Sequence, residues 1–350
     1  MGNATSTHYV QSKAQRFSYG FIAVTLILLG WLHLATPFLA VLFAYLALDK
    51  LNFLKHRGKW ASVVLLLFLL TTIAYGLGHF VNEAVKSLPE IADKAIPLVI
   101  DWARHYKIEL PFSDYDSLKE VALDTVKSQS HYLGSFAKAA RGATTELILF
   151  IVGCIVAIGL FVNPRPDLDR DRPGGGNNLY SRCAEAIAER FRTFYQSFST
   201  VLGAQIIISA INTVLTTIFV LVVHLPYAVV VIGATFVCGL LPVIGNLVSN
   251  TIIVGIAITV SPKMALGALV FLVVVHKLEY FLNSKIVGER IRNPFWLTLL
   301  ALIVGERLMG IPGMILAPVV LHYVKLEASK IRIEGEGLGT EASSAMRGNL

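Results

Sequence analysis

Long hydrophobic runs separated by short polar stretches make up most of the chain. A helix needs about 20 apolar residues to cross the hydrocarbon core of a bilayer, and six runs approach that length, the second only if it continues past its charged end. They lie at residues 17–35, 36–53, 60–81, 144–162, 200–224 and 264–283. The pattern predicts an all-α, polytopic integral membrane protein with six full spans.

Two further hydrophobic stretches are interrupted by prolines and glycines. The first runs from Tyr227 through "LPVIGN" to Val260, and the second from Phe295 to Val324. Each half is too short to cross comfortably, so each stretch is predicted to fold back as a re-entrant helical hairpin. This brings the number of hydrophobic segments to about eight. The predicted turn residues are Pro242 and Gly245 in the first hairpin, and Gly305, Gly310, Pro312, Gly313 and Pro318 in the second.

Basic residues mark one side of the predicted membrane. Short loops rich in Lys and Arg stay in the cytoplasm. Four such clusters occur: Lys50, Lys55, Arg57 and Lys59; Arg165, Arg170 and Arg172; Lys285, Arg290 and Arg292; and Lys325, Lys330 and Arg332. Both termini are therefore expected to be cytoplasmic, and the two hairpins to enter the membrane from opposite faces.

The same pattern divides the chain into regions. Residues 1–81 hold the first three spans, 82–143 an extracytoplasmic region of amphipathic helices lying on the membrane or extending the spans, and 144–162 the fourth span. Residues 163–199 are expected to form a cytoplasmic linker and an interfacial helix. Residues 200–326 form the expected transport core with both hairpins, and 327–350 a disordered cytoplasmic tail.

Composition supports a membrane protein and argues against several other classes. The chain is 55% hydrophobic and 15% charged, too apolar for a soluble domain. Its net charge of +7 flanks apolar runs instead of forming a nucleic-acid-binding patch. Three cysteines without CxxC spacing predict no zinc site, and Asn178 stands where a calcium loop beginning at Asp167 needs Glu. No catalytic or ATP-binding motif is present, so we expect no metal, no cofactor and no enzyme.

The interrupted hairpins indicate where a substrate would bind. Irregular backbone at membrane depth is tolerated only where it contacts protein or a wet cavity, and paired broken helices are typical of transporter sites. Glu306 and Arg307 lie in the second interruption, where a charge facing lipid costs about 2.5–3.5 kcal/mol. We expect them to contact the substrate. The alternative is a shallow hairpin whose charges are solvated on the cytoplasmic side.

Polar residues in the neighbouring segments form a second candidate group. His276, Glu279, Tyr280 and Asn283 recur at helical spacing in the span of residues 264–283. A carboxylate there suits proton or cation transport, although these residues could instead mark the cytoplasmic end of the span. Gln205 and Asn212 share a face, as do Asn246 and Asn250. For these amides, hydrogen bonding between helices is the alternative to a binding role.

The motifs between residues 200 and 320 resemble the autoinducer-2 exporter family of bacterial permeases. The resemblance rests on Gly203, Gln205, Pro242, Gly245, Glu279, Gly288, Pro294, Gly305, Gly310, Gly313 and Pro318. Asp49 and Ser284 stand where the family usually has proline, and His276-Lys277 where glutamine is common, which weakens any transfer of substrate identity. The resemblance implies a transporter of the bacterial inner membrane that forms a homo-oligomer, with five copies the expected number.

Together these features predict a secondary transporter that exports a small polar molecule, such as the autoinducer-2 signal of the family, driven by an ion gradient. Glu279 or Glu306 would couple ions to movement. Sodium (or lithium)/proton antiport, which the resemblance also implies, is the first alternative. The second is a passive channel formed by an oligomer.

Overall fold

A computed structural model describes residues 2–52, 58–105, 132–163, 179–242, 244–287 and 294–330, and within these ranges it contains ten helices and no strand. We number the helices α1 Gly2–Trp31, α2 Ala35–Leu51, α3 Lys59–His105, α4 Tyr132–Val162, α5 Leu179–Val223, α6 Ala228–Gly239, α7 Ile244–Val260, α8 Pro262–Val287, α9 Phe295–Met309 and α10 Ile311–Ser329. The predicted all-α class is confirmed.

Several helices are long and apolar enough to cross a bilayer. Among the described residues four qualify: Lys59–Ser87, Thr144–Val162, Leu179–Val223 and Ile311–Ser329. Helices α1 and α2 together are also long and apolar enough, but they meet at a bend of 118°. If this pair counts as one span, the described residues contain five spans. The chain is thus a polytopic membrane protein. The number of six full spans stays a prediction, and α10, expected to be only half of a hairpin, is by itself long enough to cross.

Helix α3 continues far beyond its apolar part. It extends over 47 residues to His105 and passes through Pro89 and Pro97 without a break. Beyond the apolar part, Lys94 donates a hydrogen bond to Glu90 at 2.8 Å and lies 3.5 Å from the Tyr227 hydroxyl just before α6. The bond from Lys94 lowers the pKa of the Glu90 carboxyl. Of the region 82–143, residues 106–131 lie outside the described ranges. Its first part, residues 82–105, is the continuation of α3.

Helix α5 is the element against which most of the molecule packs. It is continuous over 45 residues, so the predicted interfacial helix and the fifth span are one helix, with no break at residue 199. Its first half packs against α1, α2 and α10 through Phe194, Phe198 and Leu202. Its second half packs against α6 and α8, where Phe219 stacks on Phe271 with ring centroids 4.2 Å apart. Helices α2, α3 and α4 form a third apolar cluster beside it.

The second predicted hairpin is a tight antiparallel pair of helices. Helices α9 and α10 meet at Gly310, whose φ of +63° and ψ of −145° favour glycine. A Cβ atom built on Gly313 would lie 1.9 Å from the Gly305 carbonyl oxygen, so the two backbones touch. The break lies at Gly310 alone: Gly305 belongs to α9, Pro312 and Gly313 to the first turn of α10, and Pro318 lies inside α10.

Candidate functional site

A carboxylate and two amides from three helices meet beside the second half of α5. The Asn246 amide, in the first turn of α7, donates to both Glu279 carboxylate oxygens, at 2.7 and 2.8 Å. The Asn212 amide of α5 donates to Glu279 Oε2 at 3.2 Å. Three hydrogen bonds thus hold one carboxylate between α5, α7 and α8. We call these three residues the Glu279 cluster.

The first predicted hairpin, α6–α7, brings Asn246 into place. A Cβ atom on Gly245 would lie 1.6 Å from the Cys238 carbonyl oxygen, so only glycine allows α7 to start this close to the end of α6. Pro242 lies in the turn between the two helices. Since the start of a helix carries a partial positive charge, the first turn of α7 also favours the anionic carboxylate.

The partners of Glu279 are neutral. In the described part of the chain no Lys, Arg or His forms an ion pair with this carboxylate, and both amides only donate to it. Asn212 is 6% exposed, and its own Oδ1 atom is buried without a hydrogen-bond partner. The cluster therefore combines a half-buried carboxylate with an unused amide oxygen, and oxygens of these two kinds are ligands for hard cations.

Gln205 supports the scaffold. Its amide donates to the Gly239 carbonyl at the end of α6 at 2.6 Å, and Ser209, one turn further along α5, donates to the Phe236 carbonyl at 2.9 Å. Both side chains satisfy carbonyls that the end of α6 leaves free. The interhelical role that the sequence left open for Gln205 is the one that the structure shows.

Asn246 and Asn250, both predicted to line the site, have different surroundings in the structure. Asn250 lies in an open groove of about 750 Å³ between α7 and α8, together with exposed His276 and Lys277. The other groove-lining residues are apolar except for Thr251 and Gly255. His276 and Asn250 therefore lie next to the cluster but are not partners of Glu279. The side chain of Asn283, also predicted for the site, lies outside the described residues.

Glu306 and Arg307 lie apart from the Glu279 cluster. Both are exposed on α9, and the Glu306 carbonyl accepts the Gly310 N–H at 2.7 Å. Their hairpin packs on the first half of α5 through α10. By contrast, α6 packs on the second half of α5, and α7 packs on α6 and α8. No described contact joins Glu306 or Arg307 to the Glu279 cluster, and the expectation that they contact the substrate stays a prediction.

Asn212 belongs to the Glu279 cluster, although the sequence left its role open between binding and hydrogen bonding between helices. Its position seven residues after Gln205 showed that both amides share a face, which also fits ordinary hydrogen bonding between helices. Only the packing of α8 beside α5 shows that Glu279 is its partner. The usable signal was therefore the polar stripe of α5, and the missing information was which helix lies against it.

Comparison with known proteins assigns the chain to a family. The family model "AI-2E family transporter" matches residues 19–329. The protein YdbI of Bacillus subtilis (strain 168), provisionally named a transport protein, is 33% identical over 134 residues, 38% of each chain. A sodium-lithium/proton antiporter of Halobacillus andaensis is 24% identical over 298 residues, 78% of this chain and 81% of the antiporter. The chain belongs to the AI-2E family of membrane transporters.

Proposed function

We propose that this protein is a secondary transporter that exchanges protons for a monovalent cation at the Glu279 cluster. The observation that carries the proposal is a carboxylate in a predicted span whose described partners are two neutral amides. A carboxylate in a membrane segment is costly and usually marks an ion pathway. With no lysine, arginine or histidine paired to it among the described residues, Glu279 can take up either a proton or a mobile cation.

Sharing one carboxylate makes the two ions compete. A proton on Glu279 removes the charge that attracts a cation, and a bound cation disfavours protonation. Glu279 is neutral overall when it holds a proton or a cation, and it is charged when it is empty. A charge inside the membrane is costly, so the site changes sides more easily when it is loaded. Competition for one group is sufficient for exchange when the site faces each side in turn.

The cluster suits a monovalent cation better than a divalent one. Calcium sites use several oxygen ligands and often more than one carboxylate, and magnesium retains several waters in near-octahedral geometry. The cluster offers one carboxylate and, after rotation of the amides, the oxygens of Asn212 and Asn246. The similarity to the sodium-lithium/proton antiporter of Halobacillus andaensis supports the same choice.

Export of a small polar molecule is a second candidate. Membership of the AI-2E family supports it, since the family resemblance implies export of a small signalling molecule. In this version the proton on Glu279 would drive the organic substrate. We further propose the bacterial inner membrane as the location and a homo-oligomer as the working form.

Transport in proteoliposomes tests the proposal. We expect an outward proton gradient to drive uptake of sodium or lithium against its gradient, and Glu279→Gln to abolish it while the protein remains folded. Glu146→Gln, at an exposed carboxylate near the start of the apolar part of α4, is the matched control and should transport normally.

Three results would contradict this proposal. Uptake by Glu279→Gln at the normal rate would remove Glu279 from the mechanism. If sodium or lithium moves only down its own gradient, and this flux persists with a protonophore, the protein is a passive channel. Counterflow of a small organic molecule without any cation flux would favour the second candidate.

A further inference from the structure

A second polar cluster lies where α1, α5 and α10 meet. Arg190 of α5 forms a buried ion pair with Glu327 of α10, each side chain being 6% exposed. Tyr19 of α1 donates to Glu327 at 3.1 Å, and the Arg190 guanidinium lies 4.6 Å from the centre of the Tyr19 ring. Lys330 bonds Glu327 at 3.0 Å and Thr193 at 3.1 Å. These contacts, which we call the Arg190–Glu327 latch, tie three helices together.

The closed latch leaves hydrogen-bonding groups unused. In the described structure, five buried side-chain atoms lack a hydrogen-bond partner, and four of them belong to the α5–α10 side of the molecule. They are Arg190 Nε, Ser197 Oγ, His322 Nδ1 and Tyr323 Oη. Buried polar groups without partners raise the free energy of a state, and water entering an opened interface would satisfy them.

Helix α5 contributes buried polar residues to both this cluster and the Glu279 cluster. Apart from Ser181 they form two groups with the same i, i+3, i+7 spacing: Arg190, Thr193 and Ser197, and then Ser209, Asn212 and Thr216. Between Ser197 and Ser209, about 18 Å along the helix, Phe198 and Leu202 are fully buried against α10 and α2. An apolar plug thus separates two polar stretches of one helix.

We propose that this stretch of α5 is the cytoplasmic access route to Glu279, closed here by the Phe198–Leu202 plug and by the Arg190–Glu327 latch. The inference rests on the proposed function for the identity of the ion. The latch lies on the predicted cytoplasmic side, near Lys325 and Lys330. Separation of α10 from α5 breaks the latch, exposes Ser197 and lets water and ions pass the plug.

Thiol accessibility tests the latch without any transport assay. Cys154, Cys183 and Cys238 are replaced, and Ser197→Cys is introduced in the full chain. In inside-out vesicles we expect slow reaction with a membrane-impermeant methanethiosulfonate, and at least about tenfold faster reaction once Glu327→Gln weakens the pair. Glu327→Asp keeps the charge and should retain most of the protection. Equal reaction rates in all three proteins would overturn the latch.

Cross-linking tests whether opening is required, with the ion pair left intact. Thr193→Cys and Lys330→Cys, joined by a short cleavable bis-thiosulfonate, hold α5 to the end of α10 beside the latch. Transport should stop on linking and return after reduction. Tyr45→Cys with Phe161→Cys, joining α2 to α4 away from the latch, is the control and should keep transport.

The outcomes separate the two proposals. A transporter that works while cross-linked at the latch overturns the gate, even if Glu279→Gln is inactive. An active Glu279→Gln protein overturns the proposed ion site, whereas the thiol experiment still reports on the latch.

Discussion

The environment of Glu279 shows how a single residue can serve transport. Its carboxylate accepts three hydrogen bonds from two amides, which hold its position without adding a positive charge. A lysine or arginine at the same distance would form a permanent ion pair and stabilise the charged form. An amide instead adds no charge, and after rotation it can present its oxygen to a bound cation.

At this scale we predict that Asn246→Ala reduces cation-driven proton exchange by about tenfold to a hundredfold, because hydrogen bonds to a charged group contribute about 1.5–3 kcal/mol each. The initial rate of pH change after a sodium pulse in proteoliposomes measures the effect. Asn250→Ala, one turn further along α7 and facing the groove, is the control and should change the rate little. Equal losses in both variants would mean that contact with Glu279 is not what matters at position 246.

At the scale of elements, each hairpin depends on a close approach of two backbones. Gly245 touches the Cys238 carbonyl in one hairpin, and Gly305 touches Gly313 in the other. In both cases a single Cβ atom would force the arms apart. One arm of each hairpin, α6 in the first and α10 in the second, packs on α5, so the geometry of each turn decides where the other arm lies.

We therefore predict that Gly313→Ala lowers the melting temperature of the detergent-solubilised protein, because the new methyl group would lie 1.9 Å from the Gly305 carbonyl oxygen. Overpacking of this kind costs about 1–3 kcal/mol. Gly267→Ala in α8, where nothing lies within 4 Å of the added atom, should leave the melting temperature unchanged or slightly higher. A Gly313→Ala protein as stable as the parent would show that the two arms separate easily.

At the scale of the whole molecule, α5 connects two units. One unit contains α1, α2, α9 and α10 around its first half, and the other contains α6, α7 and α8 around its second half. The Glu279 cluster belongs to the second unit and the Arg190–Glu327 latch to the first. Movement of one unit against the other along α5 would open and close a route between them.

The orientation of this assembly in the membrane can be measured directly. In a cysteine-free chain we predict that Asp93→Cys, exposed on the extension of α3, reacts with an impermeant maleimide in intact cells. Lys330→Cys should react only after the cells are permeabilised, because the basic clusters place that end in the cytoplasm. The reverse pattern would invert the topology and move the latch to the outer side.

Much of the candidate site could be predicted from residue types and spacing. Glu279, Asn246 and the breaks near Pro242 and Gly310 follow from polar or helix-breaking residues in apolar runs. The sequence could not show that Glu306 and Arg307 lie apart from Glu279, because their positions depend on how the helices pack. The role of Asn212 stayed open in the sequence, because an amide in a span can serve packing or binding and only its neighbour decides which.

The sequence by itself determined that this is a helical membrane protein with two interrupted segments, because hydrophobic length and glycine or proline positions act locally. Only the tertiary structure decided which polar residues meet. Contacts such as Asn212 with Glu279 and Arg190 with Glu327 join residues 67 and 137 positions apart in the chain. No local pattern encodes such pairs, since they arise from how whole helices pack against α5.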